Sequence, residues 1–185
     1  MEIQVKQASS TKELLEIIAL QEKNHRDHVS VEEGLKNGFV SVKHELELLE
    51  EMNIASPQII AIADKEVIAF ALVMLKDFEN RIPVLVPMFN MLKELSYNHK
   101  KLEEYSYYVM GQICIAEKYR SMGLFDKLYL KHKEMYAKKY ELCVTEVSSS
   151  NLRSLKAHQR VGFKTIHTFK DFTDEWQLMV WDWNH

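Results

Sequence analysis

Between residues 109 and 125 the sequence VMGQICIAEKYRSMGLF sets an apolar run, Val109 to Ala116, against a charged break at Glu117-Lys118 and the tetrad Arg120-Ser121-Met122-Gly123. From Leu124 the apolar positions fall at helical spacing, with Leu124, Leu128 and Met135 on one line and Phe125, Tyr129 and Tyr136 beside it. A helix that opens directly after a strand leaves its first N–H groups unpaired and presents the positive end of its dipole. A glycine there lets a ligand approach the backbone closely, and such a turn binds phosphate.

A second stretch, NLRSLKAHQRVGF at 151–163, follows another apolar run, Leu142 to Val147, and carries Asn151, Ser154 and His158 ahead of a Gly162-Phe163 stop. The Asn151 amide both donates and accepts, so it can cap the helix it precedes and pair with a peptide-like ligand. His158 titrates in the range useful for proton transfer; a histidine packed between a helix and a sheet is the competing reading. Glu146 on the second run, and Tyr107, Tyr108 or Gln112 on the first, can each accept a proton directly or through water. Spacing does not separate them.

These groups need a scaffold, and the periodicity predicts one. Glu2 to Gln7 alternates as a strand. Ser10 and Glu13 are spaced as a capping box ahead of Leu14, Leu15, Ile18 and Gln21 at helical spacing. Ser30 and Glu33 start a short helix weakened by Gly34 and Gly38, and Leu46, Leu49 and Met52 mark another that ends near Asn53. Gln58 to Ala63 and Val67 to Leu75 form a hairpin about Asp64-Lys65-Glu66. The irregular segment Lys76 to Tyr105, with Pro83, Pro87, Met88, Phe89, Met91 and Leu92, is either a wall of an acceptor pocket or a small helix plugging the sheet. Phe163 to Phe169 and Glu175 to Asp182 close the chain as a hairpin with Trp176, Trp181 and Trp183 close by. The sum is an α/β fold, a mixed sheet of about seven strands with helices on both faces.

Arg120-Ser121-Met122-Gly123 resembles the Gln/Arg-x-x-Gly-x-Gly/Ala loop of the GNAT superfamily of acyl-CoA N-acyltransferases, preceded by its alternating apolar residues, here Ile113 and Ile115. Asn151, Ser154, His158 and Gly162-Phe163 are similar to that family's second signature, Asn-x-x-Ala/Ser, a tyrosine seven residues after the asparagine, then Gly-Phe. The resemblance implies a single N-acetyltransferase domain over 1–185, with a mostly antiparallel sheet whose fourth and fifth strands splay to admit the pantetheine arm. It implies acetyl-CoA as cosubstrate and transfer of its acetyl group to a primary amine of a small molecule or protein, by direct attack in a ternary complex. Backbone N–H groups of Arg120, Ser121, Met122, Gly123, Leu124 and Phe125 then hold the pyrophosphate, with the Arg120 side chain as helper. Those of Ile113, Cys114 and Ile115 polarise the thioester, and Asn151 and Ser154 meet the cofactor arm. His158 stands where the family places a general-acid tyrosine, and Glu146 and Tyr108 are candidates for the base. Two positions depart from the pattern: Phe125 replaces Gly or Ala, either crowding the pyrophosphate site or sending its ring into the core, and His158 replaces the tyrosine. A non-catalytic acyl-CoA-binding module is the alternative that these departures motivate.

The composition limits the other classes. A chain of 185 residues with 46% hydrophobic and 28% charged residues builds one core, and a net charge of −3 gives no footprint for nucleic acid. The N-terminus is charged where a signal peptide needs an apolar stretch, no run is long enough to span a bilayer, and a cytoplasmic setting is expected. Cys114 and Cys143 lie inside predicted strands as buried reduced thiols, and no metal-ligand spacing is present. A nucleotide-binding α/β domain would need a glycine-richer or lysine-bearing phosphate loop. Assembly as a homodimer is an expectation taken from the resemblance.

Overall fold

A computed structural model describes residues 2–30, 32, 39–40, 42–171 and 174–184; the helix expected from Ser30 and Glu33 falls largely outside them. Seven strands form the main sheet: β1 (Ile3–Gln7), β2 (Ile59–Ala63), β3 (Glu66–Met74), β6 (Tyr107–Ile115), β7 (Leu142–Ser148), β8 (Lys164–Lys170) and β9 (Glu175–Asp182). Two-residue strands β4 (Ser96–Tyr97) and β5 (Lys100–Lys101) make a separate hairpin. The order across the sheet is β1-β2-β3-β6-β7-β9-β8, and every neighbouring pair is antiparallel except β6 and β7. The β2–β3 turn is made by Asp64 and Lys65, both in the left-handed region at φ 50° and 68°, as a tight two-residue hairpin requires.

Helices cover both faces, as expected. On one, α1 (Thr11–Lys23) and α2 (Leu46–Ala55) bring Leu14, Ile17, Leu20 and Leu49 against Ile60, Phe70 and Leu72. On that same face α3 (Val86–Glu94) seats Met88, Phe89 and Leu92 with Val109, Val144 and Leu178. The Lys76 to Tyr105 segment is thus mostly a plug. In α1 the buried stripe is Leu14, Ile17, Leu20 and Gln21, and Leu15 is 49% exposed. The Ser10 hydroxyl accepts the Glu13 N–H at 3.3 Å, while the Glu13 carboxylate reaches back to the Ser9 N–H at 2.7 Å. The opposite face carries α4 (Leu124–Tyr136) and α5 (Leu152–Val161), whose Leu124, Leu128, Tyr129 and Leu155 pack with Ala61, Ala69, Ala71 and Tyr108.

Two irregularities in β6 create the site. First, Ala71 stands opposite Ile113 and Val73 opposite Met110, so Gly111 and Gln112 share Leu72 as their one partner position: a β-bulge. The extra residue reverses the alternation. Tyr108 and Met110 face α4 before the bulge, and Ile113 and Ile115 do so after it. Second, β6 and β7 pair only through Tyr107–Leu142, Tyr108–Cys143 and Val109–Val144. The Thr145 hydroxyl donates to the Met110 carbonyl at 3.0 Å, and beyond that bond the strands splay apart.

Gly162 ends α5 at φ 122°, where a β-carbon would lie 2.5 Å from the Trp181 indole nitrogen. Backbone strain and steric overlap act together there, so Gly162→Ala is expected to cost about 3 kcal/mol of stability, measured by denaturant unfolding. A loss below about 0.5 kcal/mol would contradict this close approach.

Candidate functional site

The splay opens a cavity of about 800 Å³ that runs from β6 and β7 to the N-termini of α4 and α5. The Ala116 N–H bonds the Ile68 carbonyl at 2.9 Å. Because donors alternate along an antiparallel ladder, Cys114 also bonds toward β3, while the N–H groups of Ile113 and Ile115 point into the gap. Of these three residues, two therefore turn their N–H groups to the gap. Cys114 is buried on the α1 side, and burial pushes its thiol up to about 12.

At the far end, Ser121 (φ 65°) and Gly123 (φ 73°) turn the chain into α4. No side chain caps the helix, and its first intrahelical bond is from the Lys127 N–H to the Gly123 carbonyl at 3.2 Å. The N–H groups of Leu124, Phe125 and Asp126 thus lack helical acceptors. A β-carbon on Gly123 would meet nothing within 4 Å, so the turn faces open space. These features fit a diphosphate. Arg120, Ser121, Gly123, Leu124 and Phe125 line the cavity, whereas Met122, 47% exposed, does not. The Arg120 guanidinium braces the turn, with Nε donating to the Ile115 carbonyl at 3.2 Å and Nη2 to Asn24 Oδ1 at 3.0 Å. The Phe125 ring packs at 5.0 Å from both the Tyr129 and His158 rings, partly buried against the core, and the residue also lines the cavity.

Asn151 caps α5, its Oδ1 accepting the Ser154 N–H at 3.0 Å, and both residues line the cavity. His158 lines it too, with both ring nitrogens engaged. Nδ1 lies 2.8 Å from the Ser154 carbonyl, which only accepts, so Nδ1 carries the proton and Nε2 accepts from the Tyr129 hydroxyl at 2.6 Å. Burial lowers the imidazole to about 4. At neutral pH it is uncharged and has no proton directed at the cavity, so the general-acid expectation gives way to the packed reading.

Tyr108 is a second correction. The alternation of β6 sends it under α4, fully buried, with its hydroxyl on His132 Nδ1 at 2.8 Å and its ring stacked on the imidazole at 5.8 Å. It does not line the cavity and cannot serve as a base there. Glu146 differs. It lies on the part of β7 beyond its pairing with β6, opposite Leu178 of β9 and on the same face as Leu142 and Val144. Its carboxylate makes no hydrogen bond or ion pair among the described residues, and burial, with the charge of Asp171 adding, pushes it up to about 7. Glu146 lines both the large cavity and a smaller adjoining pocket of about 70 Å³. The gap thus joins the α4–α5 face, with its uncapped helix N-terminus, to the α1–α3 face, which carries the Glu146 carboxylate.

Sequence reasoning missed Tyr129 and His44. It placed Gln21 on the α1 stripe without asking why an amide stood there. Gln21 Nε2 donates to His44 Nδ1 and to Gln112 Oε1, each at 2.8 Å. An amide on an otherwise apolar stripe was the available signal.

Burial holds three histidines neutral, His44 and His158 at about 4 and His132 at about 3. Below the unfolded value near 6.5 the unfolded chain binds protons that the folded chain refuses, so their contribution, complete above that value, is lost as pH falls toward 4. Raised Glu146 opposes this as one group against three. The melting temperature is expected to fall by more than about 10 °C between pH 7 and 4.5; a flat profile would contradict the assigned protonation states.

Among the described residues no cluster of His, Cys, Asp and Glu is placed to hold a metal ion, and no helix is long and apolar enough to cross a membrane. No family model and no curated protein matches the sequence. Solved structures do match in fold. The NatC complex bound to Gag peptide and CoA aligns at TM-score 0.67 and 12% identity, over 98% of this chain and 99% of that one. The Salmonella typhimurium protein yncA, solved with its cofactor acetyl-CoA, aligns at 0.66 and 11%, over 100% and 96%. A GNAT-family acetyltransferase from Streptococcus pneumoniae aligns at 0.62 and 14%, over 97% and 98%. With its seven-stranded sheet open between β6 and β7 and an uncapped helix at the mouth of the gap, the chain has the fold of the GNAT acetyltransferases.

Proposed function

We propose that this protein transfers an acetyl group from acetyl-CoA to a primary amine by direct attack in a ternary complex. The observation that carries this reading is Glu146: a carboxyl group whose pKa burial raises to about 7, without a partner among the described residues, where β6 and β7 separate. A binding module has no use for a base matched to neutral pH; an amine acetylase needs one, because a protonated ammonium is not a nucleophile. The structural neighbours solved with CoA or acetyl-CoA support the choice of cosubstrate.

Acetyl-CoA, when bound, supplies an acyl group activated as a thioester. The α4 N-terminus from Ser121 to Phe125 holds its diphosphate, and Asn151 and Ser154 meet its amide-rich arm. The N–H groups of Ile113 and Ile115 receive negative charge as it grows on the acyl oxygen. Glu146 takes the proton from the acceptor ammonium. With His158 neutral and His158 and Tyr129 bonded to each other, the departing thiolate, whose proton affinity corresponds to a pKa of about 8.5, takes the second proton, shed by the attacking nitrogen as the amide forms. The two buried free cysteines agree with a reducing, cytoplasmic setting.

Calorimetric titration with acetyl-CoA, with CoA, ATP and NAD as comparisons, tests the reading together with steady-state release of CoA in the presence of amines. Acetyl-CoA and CoA are expected to bind with Kd on the order of 10 µM, ATP and NAD much more weakly. Tight binding without turnover across a broad amine panel would return the protein to the binding-module class.

A further inference from the structure

On the α1–α3 side of the gap, the pocket of about 70 Å³ shares Gly111, Gln112, Glu146 and Trp176 with the large cavity. Its remaining wall is mainly apolar: Met52, Leu72, Met74 and Leu85. The volume holds about four or five atoms of a side chain, and two methionines let its shape adapt. Among the described residues no lysine or arginine lines it.

Three side-chain nitrogen donors line it, Gln112, the Trp176 indole and His44, and the His44 ring is set by a chain of hydrogen bonds whose directions are fixed. The Val42 carbonyl only accepts, so Gln112 turns its NH₂ toward it at 2.6 Å and its Oε1 toward Gln21. Gln21 therefore presents its own NH₂ to Gln112 and to His44 Nδ1, while Gln21 Oε1 accepts the His44 backbone N–H at 3.2 Å. An Nδ1 that accepts leaves the proton on Nε2. His44 thus offers a neutral N–H in a pocket that contains the base. The β6 bulge supplies Gln112, the middle link.

We infer that this pocket is the acceptor's side-chain subsite, and that the acceptor is an α-amino amide with a short aliphatic or thioether side chain. The inference rests on the acetyl-transfer reading above. The amine meets Glu146, the side chain fills the space between Met52, Leu72 and Leu85, and the adjoining carbonyl accepts from His44 Nε2. A free amino acid is disfavoured, because its carboxylate would be buried beside Glu146 in a pocket that no described lysine or arginine lines. A polyamine is disfavoured because its second ammonium would enter an apolar wall. Glu146 takes one proton from the ammonium; attack of the freed amine forms the amide bond and breaks the thioester C–S bond, and the second proton that the nitrogen sheds neutralises the departing thiolate.

The test is titration of the CoA-saturated protein with methioninamide, methionine and 3-methylbutylamine, which needs no turnover. Methioninamide is expected to bind at least 30-fold more tightly than methionine and about tenfold more tightly than the carbonyl-free amine. Leu85→Trp, at the partly exposed lip of the pocket, should weaken methioninamide at least tenfold and leave glycinamide and CoA unchanged. His44→Phe should erase the advantage of methioninamide over 3-methylbutylamine. Equal affinity for methionine and methioninamide, no measurable binding of either, or an effect of Leu85→Trp on CoA as large as on methioninamide would overturn the assignment. Methioninamide binding without acetylation in the presence of acetyl-CoA would instead sink the enzymatic reading and leave the subsite standing.

Discussion

Glu146→Gln is expected to lower kcat by 10²- to 10³-fold while the Kd for acetyl-CoA stays within about twofold. The parent enzyme should gain activity with pH up to a plateau above about 7, where its carboxylate is ionised, and the variant should lack that acidic limb. Stability should move the opposite way to activity. Folding raises the Glu146 value to about 7 from 4.5, so between these values the folded chain binds more protons than the unfolded one and stability declines as pH rises. Above pH 7 the whole cost of an ionised, poorly solvated carboxylate is present, and a neutral amide removes it. At pH 8 the variant should therefore be more stable by about 2 kcal/mol, a rise of several degrees in melting temperature. A variant that loses activity and stability together would mark Glu146 as a structural residue.

Gly123→Glu is expected to weaken acetyl-CoA binding at least 100-fold, about 3 kcal/mol, with much less effect on folding. The φ of 73° costs a side chain roughly 1 kcal/mol. The open space at this position spares the variant a clash, and a carboxylate at a helix N-terminus recovers part of that cost. The same carboxylate occupies the site proposed for the diphosphate and repels it. Gly123→Ala separates the two contributions, since it keeps the backbone strain and omits the charge; its affinity should fall by less than about tenfold. Unchanged affinity in Gly123→Glu, measured by calorimetry, would move the anchor away from α4.

The architecture was largely legible because its signals are local. Alternation marked the strands, Ser10 and Glu13 marked a helix start, and the change from period two to helical spacing at Leu124 located the turn that faces the cavity. Glu146 was among the proton-accepting candidates, but only its burial and its place beyond the last β6–β7 pair set it apart. Tyr108 and His158 went astray for one reason: the sequence names a titratable group without naming its partner. Tyr108 finds His132 under α4, and His158 finds Tyr129 and the Ser154 carbonyl. Both partnerships join groups far apart in the chain or depend on which ring edge turns inward. The bulge was illegible too, since Gly111-Gln112 reads as an ordinary pair of residues until the register with β3 is counted. It decides that Gln112 faces His44 and Gln21 and that Ile113 joins the α4 side.

The short β6–β7 ladder divides the molecule along a seam. Strands β1, β2, β3 and β6 with α1 to α4 lie on one side, and β7, α5, β8 and β9 on the other, and the backbone crosses between them once, through Ala137 to Glu141. Each half is a continuous length of chain with its own antiparallel strands, and side-chain packing joins them on both faces, Tyr129 with Trp181 on one and Phe89 with Val144 and Leu178 on the other. Three residue pairs and the Thr145–Met110 bond stitch the sheet across that line. A ligand seated in the gap would span both sides, and slowed amide exchange in β8, which does not line the cavity, would be the sign that it tightens the seam.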